Sequence, residues 1–265
     1  MKIGIFDSGL GGLIITHALT TALPEYDYLY FGDTARVPYG NRSHDTVYEF
    51  TRQAVDYLIG QNCGLIIIAC NTASAEALRR LQQDYLPVKH PQIKVLGVLI
   101  PAAETAAAAT RSGHIGVLAT TATASSKAFD RELLKLRPNL SITSQAAPLL
   151  VPLVEYDGLE WAPPILTAYL RPLHHIDTLI LGCTHYPFFK DDIRRQVGED
   201  VIVISQDEII PAKLHSYLER HADLKSSLST GGTVNFSVTD KTDQAAKLAV
   251  RLFGRPIELE QIDIL

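Results

Sequence analysis

The sequence predicts an α/β fold of two similar parallel-sheet halves, related by pseudo-symmetry, with a functional cleft between them. Three observations carry that expectation. Short β-branched runs alternate with helix-forming stretches along most of the 265 residues, the pattern of parallel strands joined by crossover helices. Two of the runs, residues 65–68 and 179–181, are apolar without alternation, as central strands covered on both faces should be. The chain also echoes itself. Lys2-Ile3-Gly4-Ile5-Phe6 leads into Asp7-Ser8-Gly9, and His114-Ile115-Gly116-Val117-Leu118 leads into Ala119-Thr120-Thr121. Gly4 precedes Cys70, and Gly116 precedes Cys183, by nearly the same length of chain.

In order, strands are expected at residues 2–6, 28–31, 65–69, 95–98, 115–119, 140–143, 178–181 and 201–204, where β-branched and aromatic residues cluster between turn formers. Helical propensity is strongest over residues 74–83 and 102–110. Asn71 is placed to cap the first of these, and Pro187 suits the first turn of a helix running toward Arg195. Tail helices are expected around residues 211–221 and 240–253, in a segment that returns to the first half. The expected domains are residues 1–95 with 207–265, and residues 96–206.

The net charge of −5 is spread without a long run of either sign, so neither nucleic acid nor an anionic membrane is an expected partner. No apolar stretch approaches the ~20 residues of a membrane helix, and Asp7 comes too early for a secretory leader. A cytoplasmic protein is expected. Cys63, Cys70 and Cys183 form neither an even disulfide framework nor a CxxC pair, which leaves free thiols.

Two of those thiols stand in matching settings. Gly64-Leu-Ile-Ile-Ile-Ala leads into Cys70-Asn71-Thr72-Ala-Ser74, and Thr178-Leu-Ile-Leu-Gly182 leads into Cys183-Thr184-His185-Tyr186-Pro187. Each ends an apolar strand and enters a hydroxyl-rich turn, where a helix N-terminus favours a thiolate. Burial alone explains Cys63, which lacks polar company, but not two polar triplets at equivalent places. In open α/β sheets ligands bind at the carboxyl edge, so two facing halves would set one cysteine on each side of a cleft. The pair then reads as two acid/base groups of one site.

Competing chemistries fit less well. Cys70, Cys183 and His185 match no common zinc spacing and lack a fourth ligand. A cysteine phosphatase loop needs arginine where Glu76 and Phe189 stand. A dinucleotide fingerprint beginning at Gly9 fails at Ile14, and Asp7 at its entrance would repel pyrophosphate. A Cys183–His185 hydrolase dyad stays open. Asp7 and Ser8 serve either as a helix cap or as partners for a thiol or an ammonium group. Asp33-Thr34-Ala35-Arg36-Val37-Pro38-Tyr39-Gly40 is a loop suited to closing over a polar ligand, and Glu155 is either solvated or ligand-facing.

Taken together, Phe6-Asp7-Ser8-Gly9-Leu10-Gly11-Gly12, the loop from Asp33 to Gly40, Ala69-Cys70-Asn71-Thr72-Ala73-Ser74, Val151-Pro152-Leu153-Val154-Glu155 and Gly182-Cys183-Thr184-His185-Tyr186-Pro187 resemble the glutamate racemases of the aspartate/glutamate racemase superfamily. The resemblance implies cofactor-independent, metal-free interconversion of L- and D-glutamate for peptidoglycan synthesis, by a homodimer. It implies acid/base roles for Cys70 and Cys183 with Asp7 and His185 as helpers. It also implies substrate contacts at Asp7, Ser8, Tyr39, Gly40, Asn71, Thr72, Thr184 and His185. Aspartate racemase and a non-catalytic amino-acid-binding protein are the alternatives. The chain departs from the family pattern at Ala147, along Leu99-Ile100-Pro101-Ala102-Ala103 and near Ser205-Gln206-Asp207.

Overall fold

The computed structural model describes residues 1–264, whose strands form two wholly parallel sheets. The strands are β1 Lys2–Asp7, β2 Tyr28–Gly32, β3 Cys63–Ile68, β4 Lys94–Gly97, β5 His114–Ala119, β6 Ser141–Ala146, β7 Thr178–Gly182, β8 Ile202–Ile204, β9 Val234–Val238 and β10 Leu259–Gln261. All eight strands read from the sequence are present with slightly shifted ends. The six-stranded sheet runs β10-β9-β2-β1-β3-β4 and the four-stranded sheet β6-β5-β7-β8. Within each half the first four strands follow the same second-first-third-fourth order, so the sequence echo is an echo of topology.

The apolar runs lack alternation because each strand feeds two cores. Leu65 and Ile67 of β3 join the core beneath the helices Leu13–Ala22, Gln206–Glu219 and Asp243–Phe253. Ile66 and Ile68 join Val47, Ala54, Val55 and Leu58 of the helix His44–Gly60 on the other face. At ~1.5–3 kcal/mol for each large side chain fully buried, both faces favour this register. The first of these cores continues into the second half through Leu118, Leu179, Leu181 and Tyr186, packing the halves together.

Three expectations are corrected. The helix expected over residues 74–83 begins at Asn71, breaks after Glu76 and passes through a wide turn at Leu81–Tyr85. Pro87 follows, and its missing N–H removes the ordinary donor for the Gln83 carbonyl. The cap of this helix is Cys70 rather than Asn71. The tail helix read as starting near Pro211 starts at Gln206 and carries the proline inside it. The tail does return to the first half, but it also adds β9 and β10, which the sequence reading did not assign. Their five and three residues are short, and β9 includes polar Asn235 and Ser237.

Asp177, just before β7, ties the amino-terminal edge of the second sheet. Its carboxylate accepts Thr110 Oγ1 at 2.6 Å, Arg111 N at 2.7 Å and Ser112 N at 2.5 Å. Burial works against the charge, yet these donors hold the carboxyl well below the usual aspartate range. A depressed carboxyl contributes stability above the unfolded value of ~3.9 that is lost as pH falls through the folded value. Urea midpoints of the native chain should therefore fall below about pH 4, and Asp177→Asn should flatten that dependence. Identical pH slopes for the two proteins would exclude this role for Asp177.

Candidate active site

The carboxyl ends of β1, β3, β5 and β7 converge on a cavity of about 190 Å³. Ser8, Cys70, Asn71 and Thr72 line it from the first half, and Thr120, Thr121, Cys183, Thr184 and His185 from the second. The loop after β2, with Tyr39 and Gly40, and the segment after β6, with Glu155, add to the wall. The volume lies below the ~300–1,000 Å³ of drug-sized pockets, which suits a ligand of amino-acid size. Asp7 alone among the expected site residues does not line it. It lies behind the wall, 1% exposed.

Cys70 stands at the N-cap, its sulfur accepting Ala73 N–H at 3.4 Å and its thiol donating to Ser8 Oγ at 3.3 Å. Burial, reinforced by the Asp7 carboxylate, pushes this thiol up to about 12, against the pull of those two neighbours. The helix it caps has only six residues. Cys183 faces a different partner: its Sγ is 3.9 Å from His185 Nδ1. His185 Nε2 is 3.2 Å from Glu155 Oε1, an ion-pair distance without hydrogen-bond alignment. Burial alone would lower the imidazole, but Cys183 and Glu155 together outweigh it and hold the ring protonated up to about 10.

Asp7 joins the two sides. It accepts Gly9 N–H at 3.1 Å and Thr184 Oγ1 at 3.4 Å. Burial raises its carboxyl, while His185, Gly9, Gly12 and Thr184 oppose the rise. The β1 turn must come very close to β7 for this contact. A Cβ on Gly11 would sit 2.4 Å from Thr184 Oγ1 and 2.6 Å from His185 Nδ1, so only glycine fits.

Several side chains are committed elsewhere. The Asn71 and Gln206 amides pair reciprocally, Nδ2 to Oε1 at 2.7 Å and Nε2 to Oδ1 at 2.5 Å, both buried. The Asn71 amide is therefore occupied, and what the segment retains for a ligand is the unpaired N–H groups of a helix's first turn. Tyr39 donates its hydroxyl to Asp33 Oδ2 at 2.5 Å, so the hydroxyl is engaged while the residue still lines the cavity. Thr72 Oγ1 lies 3.0 Å from Thr120 Oγ1 and 3.3 Å from Thr123 Oγ1, a hydroxyl cluster across the two halves. Gln206 was not among the expected site residues, because nothing local marks a partner so distant in sequence. Thr120 had a signal, since it follows β5 as Asp7 and Ser8 close β1. Among the described residues, no group of three or more His, Cys, Asp or Glu is arranged to hold a metal ion. No described helix is long and apolar enough to cross a membrane.

Residues 13–207 match the family model described as Asp/Glu/Hydantoin racemase. A glutamate racemase from Geobacter metallireducens is 39% identical over 256 residues, covering 95% of this chain and 92% of that one. Among solved structures, a glutamate racemase from Bacillus anthracis superposes with a TM-score of 0.89 at 34% identity, covering 99% of this chain and 97% of that one. The glutamate racemase from Francisella tularensis, in complex with D-glutamate, also gives 0.89, at 33% identity over 99% of this chain and 97% of its own.

The Asn71–Gln206 pair makes a stability prediction. Gln206→Leu keeps approximate size but leaves both polar ends of the buried Asn71 amide unpaired, which costs about 1–3 kcal/mol. Thermal and urea melts should both shift down accordingly. A variant as stable as the native chain would mean that the pair contributes nothing.

Proposed function

This chain belongs to the Asp/Glu/hydantoin racemase family, among its glutamate racemases, and we propose that it inverts glutamate by passing a proton between Cys70 and Cys183. The D-glutamate so formed supplies peptidoglycan. The observation that carries the proposal is the pair of thiols lining one cavity from the ends of equivalent strands, β3 and β7. The Francisella relative's bound D-glutamate supports glutamate as the occupant. The functional units in this reading are residues 1–95 with 207–265, and residues 96–206.

In one direction a thiolate removes the α-proton from one face of the substrate, and the opposing thiol protonates the planar carbanion from the other. The first sulfur ends as thiol and the second as thiolate, so charge is conserved and the protein is left with its proton exchanged. A single base would tend to return the proton to the face it came from. Because the α-proton is weakly acidic, positioning and preorganised donors must supply most of the rate. The donors in this reading are Ser8, Thr72 and Thr184, with the first-turn N–H groups at Asn71 and backbone from Tyr39 and Gly40. Asp7 acts through Thr184 and on Cys70 rather than by touching the ligand. His185 steadies a thiolate at Cys183, and Glu155 keeps His185 charged.

In deuterated water, the enantiomer formed from L-glutamate should carry α-deuterium from the first turnovers, while recovered substrate stays protonated. Cys70→Ala and Cys183→Ala should each lower racemisation by about 10²–10⁴-fold, the usual scale of acid/base catalysis. Residual exchange should persist with opposite enantiomers in the two variants. Inversion of L-aspartate but not glutamate would redirect the substrate assignment. A Cys70→Ala protein that racemises normally would rule out the two-thiol mechanism.

A pH profile tests the Glu155–His185–Cys183 chain. Neutralising Glu155 removes one of the two influences that raise His185, so the imidazolium is lost at lower pH. In Glu155→Gln the alkaline limb of kcat/KM should move toward neutrality relative to the native chain. Titration of the substrate amino group is common to both proteins and cancels in the comparison. Superimposable alkaline limbs would remove Glu155 from this role.

A further inference from the structure

β9 widens the first sheet and also delivers a residue to the loop over the cavity. Its parallel register against β2 pairs Gly32 with Val238, so one step further brings Thr239 beside Asp33. Asp33 is fully buried and Thr239 nearly so. Thr239 N–H donates to Gly32 O at 3.1 Å, its hydroxyl donates to Asp33 Oδ1 at 2.9 Å, and the same oxygen accepts Ala35 N–H at 2.9 Å. Next along, Thr34 Oγ1 donates to Asp240 O at 2.6 Å and accepts Asp240 N–H at 2.8 Å.

The other oxygen of Asp33 faces the loop. Oδ2 accepts the Tyr39 hydroxyl at 2.5 Å and Arg36 Nε at 2.6 Å. Arg36 is held in turn by Gln53 Oε1 at 2.6 Å and by the Phe50 ring, 4.1 Å from the guanidinium carbon. One buried carboxylate thus has its two oxygens divided between the tail and the cavity loop. Gly40, next to Tyr39, lies so near the second half that a Cβ there would be 3.0 Å from Thr120 Cβ. A small shift of Tyr39 is therefore felt where the two halves meet.

We infer that Thr239 is a positioning residue for the reaction, setting the cavity loop through Asp33 and Tyr39 although it lines no part of the cavity itself. The inference rests on the reading of Tyr39 and Gly40 as part of the substrate site. Without the Thr239 hydroxyl, Asp33 Oδ1 loses a donor and Ala35 N–H loses its acceptor, while Arg36 and Tyr39 still pull on Oδ2. The loop then has lost its fixed end, and substrate binding bears the cost of reordering it.

Thr239→Val removes both hydrogen-bonding functions and keeps the shape, while Thr239→Ser keeps the hydroxyl. At a temperature where melts show all proteins folded, Thr239→Val should raise KM for glutamate on the order of tenfold, with a smaller change in kcat. Thr239→Ser should restore KM close to the native value. Adding Tyr39→Phe to Thr239→Val should raise KM by less than the product of the single effects, since both act on Asp33. Amide hydrogen exchange over residues 34–41 reads the same inference without turnover, and should quicken in Thr239→Val but not in Thr239→Ser. Unchanged loop exchange in folded Thr239→Val, an unchanged KM, or fully multiplicative effects would each overturn it. Absence of glutamate turnover in the native chain would refute the assigned reaction, while the exchange data would still decide whether Thr239 holds the loop.

Discussion

The arrangement depends on one close approach, where the turn after β1 meets the turn after β7 at Gly11. The Thr184 hydroxyl and the His185 ring occupy the space that any larger residue's Cβ would need. That approach lets Thr184 reach Asp7, and the contact seals Asp7 behind the cavity wall. A buried carboxylate so near Cys70 then adds to burial in holding that thiol protonated. Steric access at one glycine, where the second half closes on the first, thereby bears on the acid/base state of a sulfur at the end of β3. The apolar core that includes Leu10, Val98, Leu118 and Tyr186 keeps the two turns pressed together.

The two thiols are equivalent in topology and unequal in chemistry. Cys70 has a hydroxyl and a backbone N–H beside it, and a carboxylate behind. Cys183 has beside it an imidazole whose pKa Cys183 itself and Glu155 together raise against burial. Under the two-thiol reading, burial and Asp7 favour a proton on Cys70, while Cys183 has an imidazole as its neighbour, so the two enantiomers meet unlike partners. Thermodynamics limits how this inequality can appear. Enantiomers have equal free energy in an achiral solvent, so kcat/KM must be equal in the two directions at every pH. The asymmetry can be expressed only in how that ratio divides between kcat and KM.

Much of this was legible in the sequence because the informative residues are local. Cys70 and Cys183 each end an unalternating apolar run, and their polar neighbours mark a strand end that is more than core. The repeat of Gly4 and Gly116 foretold the repeated strand order. Legibility failed where the partner is remote in sequence. Asn71 has the look of a cap and a ligand donor, and only the fold reveals that Gln206 takes its amide while the Cys70 sulfur does the capping. Nothing near Tyr39 in sequence tells that its hydroxyl is taken by Asp33. β9 lies outside the internal echo, its alternation runs for only five residues, and its partner β2 is remote in sequence, so nothing local marks its place in the sheet.

The two unassigned tail strands break the symmetry of the two halves in a way that bears on the cleft. In the four-stranded sheet β6 is an edge, whereas its counterpart β2 is covered by β9 and β10. The loop after β2 is therefore braced from its own sheet, by Thr239 and Asp240. The segment after β6 has no such strand, and the tail reaches it with the helix Asp243–Phe253 instead. Gln244 Nε2 donates to Glu155 O at 2.9 Å, and Arg251 donates to Val154 O at 2.6 Å and to Asp157 Oδ1 at 2.5 Å. The Thr239–Asp240 segment and the helix after it thus hold two of the segments that wall the cavity, one from each half. Two duplicated sheets supply matched strand ends held together by the shared apolar core, and a single continuous tail adds a direct tie between a wall segment of one half and a wall segment of the other.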